Sequence, residues 1–209
     1  MEKIIGMVGY ECEDIGLYLA GILRNLGQRV ALIDRTEQEM LLEMLEEPEE
    51  KETGVREKET EEILITNRNV SLQEFDRIIY LFGYRLLHPK LYECGRILLV
   101  ADGIPAHATL LGKRVFREQQ KFLVLRNMVP MKHTENYLAL LAGCEDAYTE
   151  VPYDEKDCRM RGTICFSDYG NVRRLSAGMK KALCQMVKFI FPEGSEIAIR
   201  AVVVNRGRR

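Results

Sequence analysis

Ile4-Ile5-Gly6-Met7-Val8, followed by Gly9-Tyr10-Glu11-Cys12-Glu13-Asp14, decides how this chain is read. The first five residues carry no charge, which predicts a short strand covered on both faces. Residues 15–27 predict a helix stopped by Gly27, and residues 29–34 (Arg-Val-Ala-Leu-Ile-Asp) predict a second buried strand. Strand, helix, strand is the opening of many nucleotide-binding domains, where a glycine-rich connection cradles phosphate with backbone amides. Here the connection has one glycine, no lysine, no serine or threonine, and three carboxylates. A helix N-terminus favours anions, so carboxylates already fixed there repel a triphosphate. The framework predicts a nucleotide switch; the loop predicts no nucleotide.

Working outward, residues 77–82 and Arg96–Ala101 are two more uninterrupted apolar runs, expected in the middle of a parallel sheet. Ile63–Thr66, residues 122–125 and residues 147–151 are shorter strand-like runs. Helices are expected over residues 37–45, over 105–118 with Pro105 opening the helix, over Thr134–Ala142, and over 172–191, where Leu175, Met179, Leu183, Met186 and Ile190 recur near a helical period. Residues 162–170 read as an irregular loop. Residues 196–205 (Glu-Ile-Ala-Ile-Arg-Ala-Val-Val-Val-Asn) read as a last strand at a sheet edge, followed by a basic tail. The alternation implies an α/β fold: a mainly parallel sheet of about seven strands with helices on both faces, forming a single domain over residues 1–209.

At 209 residues, with 46% hydrophobic and 30% charged residues, the chain supports one sizeable core. A net charge of −2 gives no global attraction to nucleic acid or anionic membrane. No apolar run is long enough to span a bilayer, and the opening Met-Glu-Lys-Ile-Ile is no signal peptide, so a cytoplasmic location is expected. The six cysteines form no C-x-x-C pair and suit reduced thiols. They show no zinc-ligand spacing to His88, His107 or His133, so no metal site is expected. Residues 37–62 hold twelve glutamates against Lys51, Arg56 and Lys58. That acidic insertion reads as a solvated helix and loop, or as a docking surface for a basic partner.

Five stretches, in order, resemble the MinD/ParA ATPases. Residues 19–34 resemble the family's first helix and second strand. Phe75-Asp76-Arg77-Ile78-Ile79-Tyr80-Leu81 resembles the strand carrying its second acidic switch, and Gly95 to Asp102 the strand after it. Leu123-Val124-Leu125-Arg126-Asn127 is similar to the strand that ends in a family asparagine, and Val151-Pro152-Tyr153-Asp154 to the turn after the next. The resemblance spans residues 3–191 and implies a P-loop NTPase-like, Rossmann-like three-layer fold. It also implies which residues a residual nucleotide pocket would use: Gly9, Asp34, Asn127 and Pro152.

The departures from the family pattern are as specific. The family loop K-G-G-x-G-K-T is about four residues longer than the space available here, and neither lysine nor the magnesium-side hydroxyl has a counterpart. The D-x-D of the second strand is Asp34-Arg35-Thr36, and the switch aspartate falls at Leu81. Phosphoryl transfer depends on positioning and charge stabilisation. The resemblance with these losses therefore implies a catalytically inactive pseudo-ATPase without cofactor. It would act as a localisation, scaffold or assembly factor through protein partners, as a homodimer, with TadZ/CpaE-like proteins of Tad-type pilus or secretion machinery the nearest branch.

Other readings stay open at this point. Asp34 and Asp102 both end predicted parallel strands, the edge at which open α/β sheets bind ligands. With Glu11, Glu13 and Asp14 they would serve a different enzyme or a hard cation; as turn and cap residues they would serve only the fold. Nucleotide binding without hydrolysis, and a flavodoxin- or receiver-like module, are further alternatives. His107 has no visible partner in the sequence. Arg159, Arg161, Arg173, Arg174, Arg200 and the arginines after residue 205 lack the aromatic interleaving of single-strand binders and read as solvated charge.

Overall fold

The computed structural model describes residues 2–45, 49–50, 56–60, 62–113, 119–129, 134–163 and 172–204. Its frame is a nine-stranded sheet in the order β3-β4-β5-β2-β6-β1-β7-β8-β9. Strands β1 (Ile4–Gly9), β2 (Val30–Asp34), β3 (Glu49–Glu50), β4 (Arg56–Thr60), β5 (Ile63–Thr66), β6 (Arg77–Leu81), β7 (Arg96–Ala101), β8 (Gln120–Met128) and β9 (Tyr148–Pro152) alternate with α1 (Glu13–Asn25), α2 (Met40–Glu43), α3 (Pro105–Gly112), α4 (Thr134–Ala142), α5 (Glu155–Arg161), α6 (Ala177–Ile190) and α7 (Glu196–Val204). All pairings from β5 across to β9 are parallel. Only β3 and β4, contributed by the acidic insertion, pair antiparallel at one edge.

The two faces follow from the two-residue repeat of a strand. Ile5 and Met7 of β1, Leu32 of β2, Ile79 and Leu81 of β6, and Leu98 and Val100 of β7 join one core with α1, α6 and α7. Their neighbours Ile4, Val8, Ala31, Ile33, Ile78, Tyr80, Ile97 and Leu99 join the other core beneath α3 and α4. The four central strands are buried at every position, which is why they read as unbroken apolar runs. At the edge, β9 alternates between buried and accessible residues.

Several expectations are corrected. Residues 196–205 do not form a strand: α7 buries Ile199 and Val203, one turn apart, and leaves Ile197 82% exposed. Glu196 and Arg200 pair across the same turn. The run is rich in β-branched residues, but a surface offered by α1 and α6 suits a helical stripe, and tertiary packing overrides propensity. The helix expected over 172–191 is a 3₁₀ turn, Val172–Arg174, and then α6, because the Ser176 Oγ caps the Met179 amide at 3.0 Å and restarts the helix. The helix expected over 37–45 is the four-residue α2. α3 runs over Pro105–Gly112, and residues 114–118 of that expected helix, like the loop residues 164–170, lie outside the described residues. α5 had no sequence expectation.

Candidate functional site

The connection from β1 to α1 is three residues long, Tyr10-Glu11-Cys12, and four amides in and beside it have partners within the protein. The Gly9 amide donates to the Gly83 carbonyl at 2.7 Å and the Tyr10 amide to the Val100 carbonyl at 2.8 Å. The Ile15 amide donates to the Asp14 carboxylate at 2.9 Å, and the Gly16 amide to the Cys12 carbonyl at 2.9 Å. These amides face the protein's own acceptors, so they do not form the open nest that grips an external anion. Gly9 stands at φ +119°, and a Cβ there would lie 2.0 Å from the Val100 carbonyl oxygen. The absence of a side chain is what permits this close approach to β7.

The loop carboxylates are engaged as well. Arg126, near the end of β8, donates through both Nη atoms to the two oxygens of Asp14 at 2.8 and 2.9 Å. Their side chains are only 5% and 2% exposed. Arg126 also donates to the Glu11 carbonyl, and Arg161 of α5 to the Glu11 carboxylate. Burial works against the Arg126 charge, but Asp14 outweighs it and holds the guanidinium above its ordinary pKa. Glu13 lies beside this pair, and burial pushes its carboxyl up.

Beneath the loop the surroundings are apolar. Leu81, the last residue of β6, packs on Gly16 of α1; a Cβ at Gly16 would sit 3.0 Å from its Cδ2. Cys12 is fully buried in the same cluster, and burial raises its thiol far above the ordinary value, so it is no thiolate nucleophile. Asp34 is 1% exposed and accepts from the Thr36 amide and hydroxyl at 2.9 and 2.6 Å and from the Leu41 and Leu42 amides at 2.8 and 3.3 Å. It holds the β2–α2 turn and the start of α2.

Of the four residual-pocket residues, the structure brings two together. Asn127, at φ +56°, and Pro152 line one cavity of about 180 Å³ with Arg126, Arg161 and Asp157. Small-molecule pockets run from about 300 to 1,000 Å³, and this cavity lies below that range. Gly9 and Asp34 are not among its walls. Among the described residues no group of three or more His, Cys, Asp or Glu is placed to hold a metal ion, and the acidic first loop and Asp34 have separate partners.

Sequence reasoning missed one cluster. Asp102, just past β7, accepts from the Ile104 amide at 3.0 Å, and its Oδ1 lies 2.8 Å from Nδ1 of His107 in the first turn of α3. The His107 ring stacks on Tyr10 at 5.8 Å between centroids and meets Tyr84 at 5.9 Å. A signal existed: an aspartate closing a strand, a proline opening a helix and a histidine in its first turn are close in space.

Nineteen chains of known structure match this fold. A ParA-family ATPase from Chlorobium tepidum is 12% identical with a TM-score of 0.63, over 96% of this chain and 97% of its own. A putative plasmid partition protein from Borrelia burgdorferi, solved bound to AMPPNP, is 12% identical with a TM-score of 0.57, over 91% and 98% of the two chains. A second Borrelia burgdorferi plasmid partition protein is 11% identical with a TM-score of 0.51, over 73% and 90%. No protein-family model matches the sequence, and no curated protein matches it. The chain thus has a ParA-like α/β fold. The expectation that it is no enzyme is corrected by these likenesses, because the architecture it shares is that of a ParA-family ATPase. That expectation rested on missing loop residues, and a missing motif is not a demonstration of inactivity. No helix among the described residues is long and apolar enough to cross a membrane.

Proposed function

We propose that this chain is a ParA/MinD-like localisation or assembly factor that works through protein contact, with its β1–α1 loop held in place by its own ion pairs. The observation that carries this reading is the buried two-pronged contact of Arg126 with Asp14. In a nucleotide switch, phosphate joins the first loop to the rest of the sheet edge. Here an internal carboxylate makes that link and is present in every molecule. A contact that is always made biases the chain toward one state without a ligand's differential affinity. Tyr137 and Leu140, 53% and 58% exposed on α4, offer apolar surface of the kind protein contacts use. With TadZ/CpaE-like proteins the nearest branch by analogy, the partner in this reading belongs to pilus or secretion machinery, and a homodimer is the assembling unit.

Sedimentation velocity with and without Mg-ATP tests this reading. The expected result is one association state under both conditions, shifted by Asp14→Ala. A dimer that forms only with Mg-ATP overturns it.

A further inference from the structure

α6 carries two stripes. Leu183, Val187 and Ile190 lie on the one that enters the core. The second, Ala177, Lys180, Lys181, Cys184, Gln185 and Lys188, recurs at steps of three and four residues and so shares one helix face. α7 lies against α6 with Ile199 and Val203 in the same core, and its Glu196, Ile197, Arg200 and Ala201 form the facing wall. Between the two helices runs a groove of about 1040 Å³. The α6 stripe is about 17 Å long, roughly three turns of helix.

The groove is apolar inside. Ile199 is 1% exposed beneath it, Cys184 is half-buried, and Ala177 and Ala201 have short side chains that leave the space open. Ile197 stands at its edge, the most exposed large apolar residue among those described.

The rim is positive. Lys180 donates to the Arg173 carbonyl at 2.7 Å, and Lys188 to the Pro192 and Gly194 carbonyls at 2.7 and 3.0 Å. These acceptors are uncharged, so both lysine charges stand. Glu196, the carboxylate of the described walls, is taken up by Arg200 at 2.6 Å. Burial raises the carboxyl of Glu150 on β9, and Lys181 acts against that rise. With both carboxylates counted, Lys180, Lys181, Lys188 and Arg200 still leave positive charge along the groove.

We infer that this groove is the docking site of an amphipathic helix with acidic flanks, supplied by a protein partner. An apolar channel of about three turns between charged rims is what helix-in-groove recognition uses, and the sign of the rim sets the sign of the partner. The chain's own acidic stretch does not fit: α2 has four residues, and its Leu41 and Leu42 are buried in their own core. A bilayer surface fits less well, because a helix lying on lipid offers its apolar face outward, whereas Ile199 and Val203 of α7 are turned inward. The inference rests on the reading of the chain as a factor that works by protein contact, and names a surface and the partner's chemistry for it.

The probe is a fluorescein-labelled peptide of about 18 residues, long enough to be partly helical alone, with leucines at i, i+3, i+4 and i+7 and glutamates beside them. Fluorescence anisotropy with the whole chain should show saturable binding that weakens as salt is raised. Ile197→Ser should weaken binding about tenfold and Lys181→Glu about fivefold. A peptide with the same leucines and lysine in place of glutamate should bind at least about tenfold more weakly. Both substituted positions are exposed, so both variants should unfold at the parent's temperature. Sedimentation with Mg-ATP tests the earlier reading separately: a nucleotide-dependent dimer leaves peptide binding as it is, and a peptide that does not bind leaves the sedimentation result standing. The inference is overturned by absence of saturable binding, by equal binding of the lysine peptide, or by binding that neither substitution weakens. It is overturned equally if the two substitutions abolish binding to anionic lipid vesicles, or self-association, and leave peptide binding unchanged.

Discussion

Arg126 places both terminal nitrogens on the two carboxylate oxygens of Asp14, joining the end of β8 to the first turn of α1 in an interior from which solvent is nearly excluded. Removing one member of such a pair leaves an uncompensated buried charge, which costs about 3–5 kcal/mol. Asp14→Ala and Arg126→Met should each lower stability by about that amount in urea denaturation. The double variant should recover most of the loss, since what is costly is the unpaired charge. Additive losses would mean that the two residues do not act as a pair.

Gly9 offers a test of backbone geometry rather than charge. At φ +119°, and with a Cβ position 2.0 Å from the Val100 carbonyl oxygen, alanine meets both a strained backbone and a collision. The same residue donates its amide to Gly83, so it cannot move away without breaking the loop. Gly9→Ala should lower stability by more than about 3 kcal/mol or abolish folding. Gly27→Ala is the control: φ is +79° there, but nothing lies within 4 Å, so only the backbone strain is felt.

Asp34 separates a structural carboxylate from a chemical one. Four hydrogen bonds from Thr36, Leu41 and Leu42 converge on it. Loss of a cap that also satisfies buried amides costs about 2–3 kcal/mol. Asp34→Ala should show that loss in denaturant unfolding, with Asp34→Asn intermediate. An alanine variant of unchanged stability would show that these bonds do not hold the turn.

The legibility of the chain divides along physical lines. The strands at 4–9, 30–34, 77–81 and 96–101 were readable because burial on both faces forces unbroken apolar runs. The structural use of Asp34 was one of two readings of a strand-end aspartate. The loop's carboxylates were visible, but their partners were not: Arg126 lies 112 positions from Asp14, and Arg161 lies 150 from Glu11. No local pattern encodes such a pairing. The tail at 196–204 misled because a short run of Ile, Val and Ala satisfies either period, and the decision lies in the neighbouring helices. His107 was the cheapest omission, five residues from its partner.

Glu13 makes a pH-dependent prediction. It is 8% exposed in the first turn of α1. Burial is the largest cause of its raised pKa; Asp14 and Asp34 add repulsion, and Arg161 and its own backbone amide only partly offset them. Below its ordinary value of 4.5 the carboxyl is protonated in both folded and unfolded chains, and no penalty exists. As pH rises past that value the unfolded chain releases its proton while the folded chain retains it. The unfolded state then binds fewer protons, so this group's contribution to stability falls until pH passes the folded value, and stays reduced above it. Glu13→Gln never ionises. It should unfold at a higher temperature than the parent near neutral pH, and the difference should shrink on acidification toward 4.5. Other carboxylates titrate in both proteins and cancel in the comparison. A glutamine variant less stable than the parent at neutral pH would show that the Glu13 charge is held favourably, against the burial argument.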